Sequence, residues 1–217
     1  AVADGIGWGV RSRRAAQSAL LGFSVQLKSH LATLYHSEGF WDTEMIGDSC
    51  LLALQAGHTF ADALTEAKTT LAGGVVLKLP PTGPRAPTIE EMRNSSVQLG
   101  SLRGGQPSTQ PTKASWIFVG ASVGDSLLYR YSITRRTVSE LTTSDRTHGV
   151  RDAGGSLGGG AEPDLRNQTL HLALVEEGDF VIAVSDGVHD NLDPEVLQRS
   201  PQEAAGLVEV AINGGIE

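Results

Sequence analysis

The sequence predicts an α+β fold, with two mainly antiparallel β-sheets packed face to face and helices on the outside. Three observations carry this. Apolar runs of strand length, bounded by Gly, Asp and Ser, follow one another through the second half of the chain. Near the start, apolar residues recur at helical spacing from Ala16 to Leu34. Near the end, two segments open with proline at a first helical position. The 217 residues are 40% hydrophobic, enough for one domain with a real core, so 1–217 is read as a single domain.

Ala1-Val2-Ala3 reads as a buried strand that ends in Asp4-Gly5, followed by the turn Gly7-Trp8-Gly9. Arg13 to about Leu34 reads as a helix, because Ala16, Ala19, Leu20, Phe23, Leu27, Leu31 and Leu34 share one face. A second helix is expected around Cys50–Ala56 and a third from Thr59, as N-cap, through Ala67. Residues 73–79 form a strand. Residues 80–114 are rich in Pro, Gly, Ser and Thr and read as a long flexible loop or insertion, with docking of a protein partner as its alternative use.

Ser115–Val123 is the next strand, and Gly124-Asp125-Ser126 turns it back into Leu127–Ser132 as a hairpin. Thr137–Leu141 continues the meander. A glycine-rich stretch, 154–160, leads to strands at Leu170–Val175 and Asp179–Val184, joined by a turn at Glu176–Asp179. The second of these ends in Ser185-Asp186-Gly187-Val188-His189-Asp190. Helices follow at Pro194–Arg199 and Pro201–Ile212. The chain opens inside a strand and closes at Asn213-Gly214-Gly215-Ile216-Glu217, so segments are expected beyond both ends.

Net charge is -8, and basic residues cluster only at Arg11-Ser12-Arg13-Arg14. A nucleic-acid binder would show a basic face, so that partner is excluded. No stretch is apolar and long enough to span a bilayer, and no signal peptide is visible, so no membrane partner is expected. The single cysteine, Cys50, lies in an apolar run and reads as a core residue of a reducing compartment, the cytoplasm with the nucleus as alternative. The sequons at Asn94 and Asn167 are then chance matches.

A strand ending in Asp-Gly sets a carboxylate at a sheet rim, and the glycine lets the chain turn. Two such ends, at Asp4 and Asp186, can aim hard oxygen ligands at one Mg²⁺ or Mn²⁺ ion. The order of landmarks resembles the PP2C class of metal-dependent Ser/Thr protein phosphatases. Asp4-Gly5-Ile6-Gly7 is similar to the family's DGxGG turn, and Thr69–Val76 to its Gly/Ser-Thr-rich strand. Val123-Gly124-Asp125-Ser126 resembles VGDSR. Leu141-Thr142 with Asp145, then Gly154-Gly155, resembles LTxDH and GG. Glu162-Pro163-Asp164 and Glu177-Gly178-Asp179-Phe180 fit two further landmarks, and Ser185–Asp190 fits SDGLWD. Each motif alone is weak; seven in order are specific.

The resemblance implies an α-β-β-α sandwich with two metal ions, Mg²⁺ or Mn²⁺, at one edge and a third, weaker ion beside them. It makes Asp4 and Asp186 the catalytic metal ligands and gives the Gly5 carbonyl to one ion. Asp125 and Asp190 would hold the third ion with Asp186. It further implies a phosphoprotein substrate and attack by a hydroxide bridging ions about 3.5–4 Å apart, with no phosphoenzyme. The family's phosphate-binding arginine and acidic pair would precede Ala1, and its late Asp-Asn ligand would follow Glu217.

The sequence departs from the family at four places. Ile6 replaces a histidine able to protonate the leaving group, and Trp8 interrupts the paired glycines. Leu127 replaces an arginine, and His189 a tryptophan; His189 is either a metal neighbour or a packed structural residue. These departures keep a second reading open: a catalytically weak or inactive pseudophosphatase acting as an interaction or scaffold module. A third reading casts Gly154-Gly155-Ser156-Leu157-Gly158 as a serine-hydrolase elbow with Asp186 and His189. It lacks the flanking strand and helix that an elbow needs.

Overall fold

The computed structural model describes residues 1–37, 42–64, 66–79, 116–142, 152–192 and 197–216. Its first sheet has the strand order β1-β2-β3-β7, with β6 pairing the start of β2. These strands are β1 (Val2–Gly5), β2 (Lys68–Lys78), β3 (Trp116–Val123), β6 (Leu157–Gly158) and β7 (Thr169–Val175). The second sheet has the order β5-β4-β8, from β4 (Leu127–Ser132), β5 (Thr137–Glu140) and β8 (Phe180–Val184). All strand pairs are antiparallel.

Helices α1 (Val10–Ser37) and α2 (Thr43–Leu64) cover the first sheet. Their shared core with that sheet holds Phe23, Leu27, Ile46, Cys50, Leu54, Leu71 and Ile117. A smaller core between the sheets is built from Ala72, Phe118, Leu128 and Val175, with Val181 and Leu141 against it. A short helix α3 (Asp186–His189) follows β8, and α4 (Pro201–Ile216) packs by β5 on the second sheet. The Tyr131 hydroxyl donates to Asn213 Oδ1 at 2.6 Å, fixing α4 to β4. The result is the predicted α+β sandwich. No helix among the described residues is long and apolar enough to cross a membrane.

Four sequence expectations change. The two helices expected at Cys50–Ala56 and from Thr59 are one, α2. Asp42 caps it, accepting from Met45 N–H at 2.8 Å, and the Thr59 hydroxyl merely bonds back to Gln55 O at 3.0 Å. Gly57 does not break the helix; it lets α2 lie against the Ala19 carbonyl of α1. The hairpin expected at Gly124–Ser126 is instead a crossing, because β3 and β4 belong to different sheets. β7 and β8 are likewise split between sheets, whereas β4 and β5 do form a hairpin. The last helix runs to Ile216, beyond the expected Ile212, from a capping box in which Ser200 and Glu203 bond reciprocally. The loop expected at 80–114, the landmark at Asp145 and the first half of the helix expected at Pro194–Arg199 lie outside the described residues.

The crossing between sheets is pinned by an ion pair. The Arg130 guanidinium of β4 donates from Nε to Asp179 Oδ2 at 2.9 Å, and the same oxygen accepts from Glu176 N–H at 3.1 Å. Asp179 is buried, so this pair orders the turn from β7 into β8.

A second buried polar link joins the layers. His171 on β7 accepts the Ser122 hydroxyl at Nε2, 2.8 Å, and donates Nδ1–H to Leu141 O at 3.1 Å. That pattern needs a neutral imidazole, and burial lowers the His171 pKa from 6.5 to about 4. As pH falls, the unfolded chain therefore takes the proton first. The stabilisation is complete above pH ~6.5, is lost between there and pH ~4, and amounts to about 3 kcal/mol. Urea melts from pH 7.5 to 4 should show this loss, and it should vanish in His171→Gln.

The helix pair makes a steric prediction. A Cβ on Gly22 would lie 2.7 Å from the Ala56 carbonyl oxygen and 2.9 Å from Phe60 Cγ. Gly22→Ala should therefore cost about 1–3 kcal/mol despite its better helix propensity. A denaturation midpoint at or above wild type would show that the helices do not approach this closely.

Candidate metal centre

Register brings three acidic residues to one end of the sandwich. In the first sheet Asp4 is opposite Thr70, and Leu71 is opposite Val123, so the chain leaves β3 beside Asp4. In the second sheet Leu127 is opposite Val184. Asp125 stands two residues before Leu127 and Asp186 two after Val184, so antiparallel pairing places both at that edge.

Side chains then tie the pieces together. The Thr69 hydroxyl donates to Asp4 O at 2.6 Å, and the Thr70 and Ser126 hydroxyls meet at 2.9 Å. Asn167 clamps the crossing: its Oδ1 accepts from Gly124 N–H at 2.9 Å, and its Nδ2 donates to Gly124 O at 2.8 Å. His189 Nε2–H donates to Asp125 O at 2.9 Å, which fixes α3 to the same turn. Of these supporting roles only that of His189, as a packed structural residue, is legible in the sequence. Asn167 stands out there only as a sequon, and hydroxyl pairs between strands leave no spacing signal.

The carboxyl groups of Asp4 and Asp186 lie close enough to interact, with the Ser185 hydroxyl also near Asp4. Burial first, then the Asp186 carboxyl, hold the Asp4 pKa above its ordinary value; Ser185 pulls the other way, and Asp125 adds repulsion. Two carboxylates in contact need a shared proton or a cation between them. Asp125 is 5% exposed.

Gly5 has its own reason to be glycine. A Cβ there would lie 2.2 Å from the Ser12 carbonyl oxygen, so no other residue fits against α1. Ile6 N–H donates to Lys68 O at 2.9 Å, which makes Ile6–Lys68 a hydrogen-bonded pair. Gly5–Thr69 is then the intervening pair, and the Gly5 carbonyl points away from β2 toward the open edge.

Asp190 caps α3, its N–H bonded to Asp186 O, one helical turn from Asp186. Its carboxylate lies 3.1 Å from His189 Nδ1. Both ring nitrogens of His189 thus have protein partners, and the residue is structural. Ser156 is buried and forms a backbone bridge with Asp164; β6 follows it, not a helix. This removes the nucleophile-elbow reading. Trp8 does not crowd the carboxylates; its side chain is fully exposed.

Mg²⁺ is commonly held by one or two carboxylates, the remaining positions going to water and substrate phosphate. Asp4, Asp186 and the Gly5 carbonyl fit one such ion. Among the described residues no group of three or more His, Cys, Asp or Glu is arranged to hold a metal. The second and third ions of the resemblance therefore have no ligand set among those residues.

No family model matches the chain. A curated relative, PP2C-like domain-containing protein CG9801 of Drosophila melanogaster, is 31% identical over 211 residues, which is 90% of this chain and 24% of the relative. The chain spans about a quarter of the length of the relative it matches. Landmark order, the two-sheet sandwich and this likeness agree: over most of its length the chain is similar to a PP2C-like domain.

Proposed function

We propose that the chain is the core of a metal-dependent protein phosphatase that hydrolyses phosphoserine and phosphothreonine. The observation that supports this best is the meeting of Asp4 and Asp186, from opposite ends of the chain and different sheets. A bound Mg²⁺ or Mn²⁺ would polarise the phosphoryl group and lower the pKa of water there. Asp4 and Asp186 would hold that ion, with the Gly5 carbonyl beside them. The Ser185 hydroxyl orients the Asp4 carboxyl, and the Asn167 and His189 bonds keep Asp125 in place.

The chain's candidate nucleophiles favour direct attack by water. Cys50 is fully buried and its thiol is pushed up to about 12 by desolvation. Ser156 is 3% exposed. Ile6 offers no proton, so the leaving alkoxide takes its proton from solvent.

One observation favours the second reading, a pseudophosphatase scaffold: two carboxylates meet where a two-ion centre needs more. Such a protein would bind Mn²⁺ weakly and release no phosphate.

Full-length protein with Mn²⁺ should release phosphate from a phosphothreonine peptide. Asp186→Asn should lower kcat by about 100-fold or more, with an unchanged circular dichroism spectrum. Turnover equal to wild type would remove Asp186 from the centre. Absence of turnover in wild type, with Mn²⁺ bound, would establish the scaffold reading.

A stability measurement probes the same pair without activity. In metal-free protein, Asp186→Asn relieves the contact between carboxylates and should raise Tm by about 2–4 °C, equivalent to ~1 kcal/mol. Mn²⁺ should then stabilise wild type more than the variant. A lower Tm for the metal-free variant would mean that the two carboxyls do not repel.

A further inference from the structure

We propose that the cleft between β1 and the start of α1 is the substrate-recognition subsite of this centre. Arg13 takes anionic oxygens of the phosphorylated peptide there, and Trp8 lies against the side chain next to the phosphorylated residue. The inference rests on the phosphatase reading.

The cleft has a volume of about 370 Å³ and contains Asp4 and Gly5 in its lining, so it adjoins the Asp4 side of the carboxylate pair. Arg13, Gln17 and Leu20 of α1 line it with Trp8 at the Gly7–Gly9 turn. Arg13 is exposed, and no carboxylate among the described residues pairs with it. The guanidinium thus faces the cleft with its donors available to a ligand, and its planar fork suits phosphate or carboxylate oxygens.

Two features of the local sequence make little sense without a ligand. The first turn of α1 has no acidic residue and carries Arg11 and Arg13, in a chain of net charge -8. Cations at that end oppose the helix dipole. Trp8 exposes its whole indole, flanked by exposed Val10 and partly exposed Ile6. A large apolar residue presented to water beside a polar cleft is the usual mark of a contact surface. Charge selects the occupant. An anionic peptide is attracted by Arg13 and brings its phosphoryl group to the Asp4 edge, whereas a basic peptide would meet a cation at the mouth.

The anionic oxygens could come from the scissile phosphoryl group or from an acidic neighbour in the peptide. Fluorescence polarisation of labelled peptides on full-length protein separates the two. The set is a phosphothreonine peptide with neutral flanks, the same peptide with acidic flanks, and the unphosphorylated acidic peptide. Arg13→Ala should weaken phosphopeptide binding about five- to tenfold, with Arg13→Lys recovering part of the loss. Trp8→Ala should weaken it about threefold. A loss on the neutral phosphopeptide assigns Arg13 to the phosphoryl group; a loss confined to acidic peptides assigns it to the neighbour.

Arg14 is exposed and does not line the cleft, so Arg14→Ala is the charge-matched control. If Arg14→Ala weakens binding as much as Arg13→Ala, or if Arg13→Ala has no effect, the subsite is refuted. Turnover with Arg13-independent binding would overturn this inference and leave the phosphatase reading standing. Arg13-dependent binding without turnover would do the reverse.

Discussion

Three residues, Gly124, Asp125 and Ser126, carry the chain from the first sheet to the second, and the geometry of the acidic edge depends on that short passage. A longer connection would let the sheets slide relative to each other. This one is held from three directions: Asn167 on its backbone, Thr70 on Ser126, and His189 on the Asp125 carbonyl. Strand register does the rest. Once Leu127 faces Val184 and Asp4 faces Thr70, the two Asp-Gly strand ends have little freedom to be elsewhere.

The energetics of that edge are those of a site built at a cost. A buried or half-buried carboxylate beside another destabilises a fold unless something positive compensates. Three acids elsewhere are compensated by a neighbouring arginine: Asp179 by Arg130, Asp164 by Arg166, Glu176 by Arg135. At Asp4 and Asp186 the partner is another acid, with Asp125 adding repulsion from nearby. Natural sequences break local rules mainly where function requires it. The contrast between those paired acids and this like-charged pair is the physical case for a cation.

The layered α+β class, the core face of α1 and both Asp-Gly strand ends could be read from the sequence, because periodicity and turn chemistry are local. The continuity of α2 could not. Gly57 and Thr59 look like a break until α1 is seen to need Gly57 for close approach. The hairpin at Gly124 failed for a related reason: a tight turn looks the same whether it returns to its own sheet or crosses to another. The meeting of Asp4 and Asp186 followed from motif order through the family resemblance, since nothing in their spacing demands it. Asn167 and the Thr70–Ser126 pair, which support the edge, are set by tertiary contact alone.

Asp4 is carried by a strand of four residues whose only described neighbour is β2. Such a margin opens at far smaller free energy than a central strand does. Fraying of β1 would withdraw one oxygen donor while the other stayed in place, so cation affinity and the order of this strand form one thermodynamic cycle. Whatever steadies β1, whether peptide in the adjoining groove or contact with another part of a longer polypeptide, would tighten metal retention without touching a ligand.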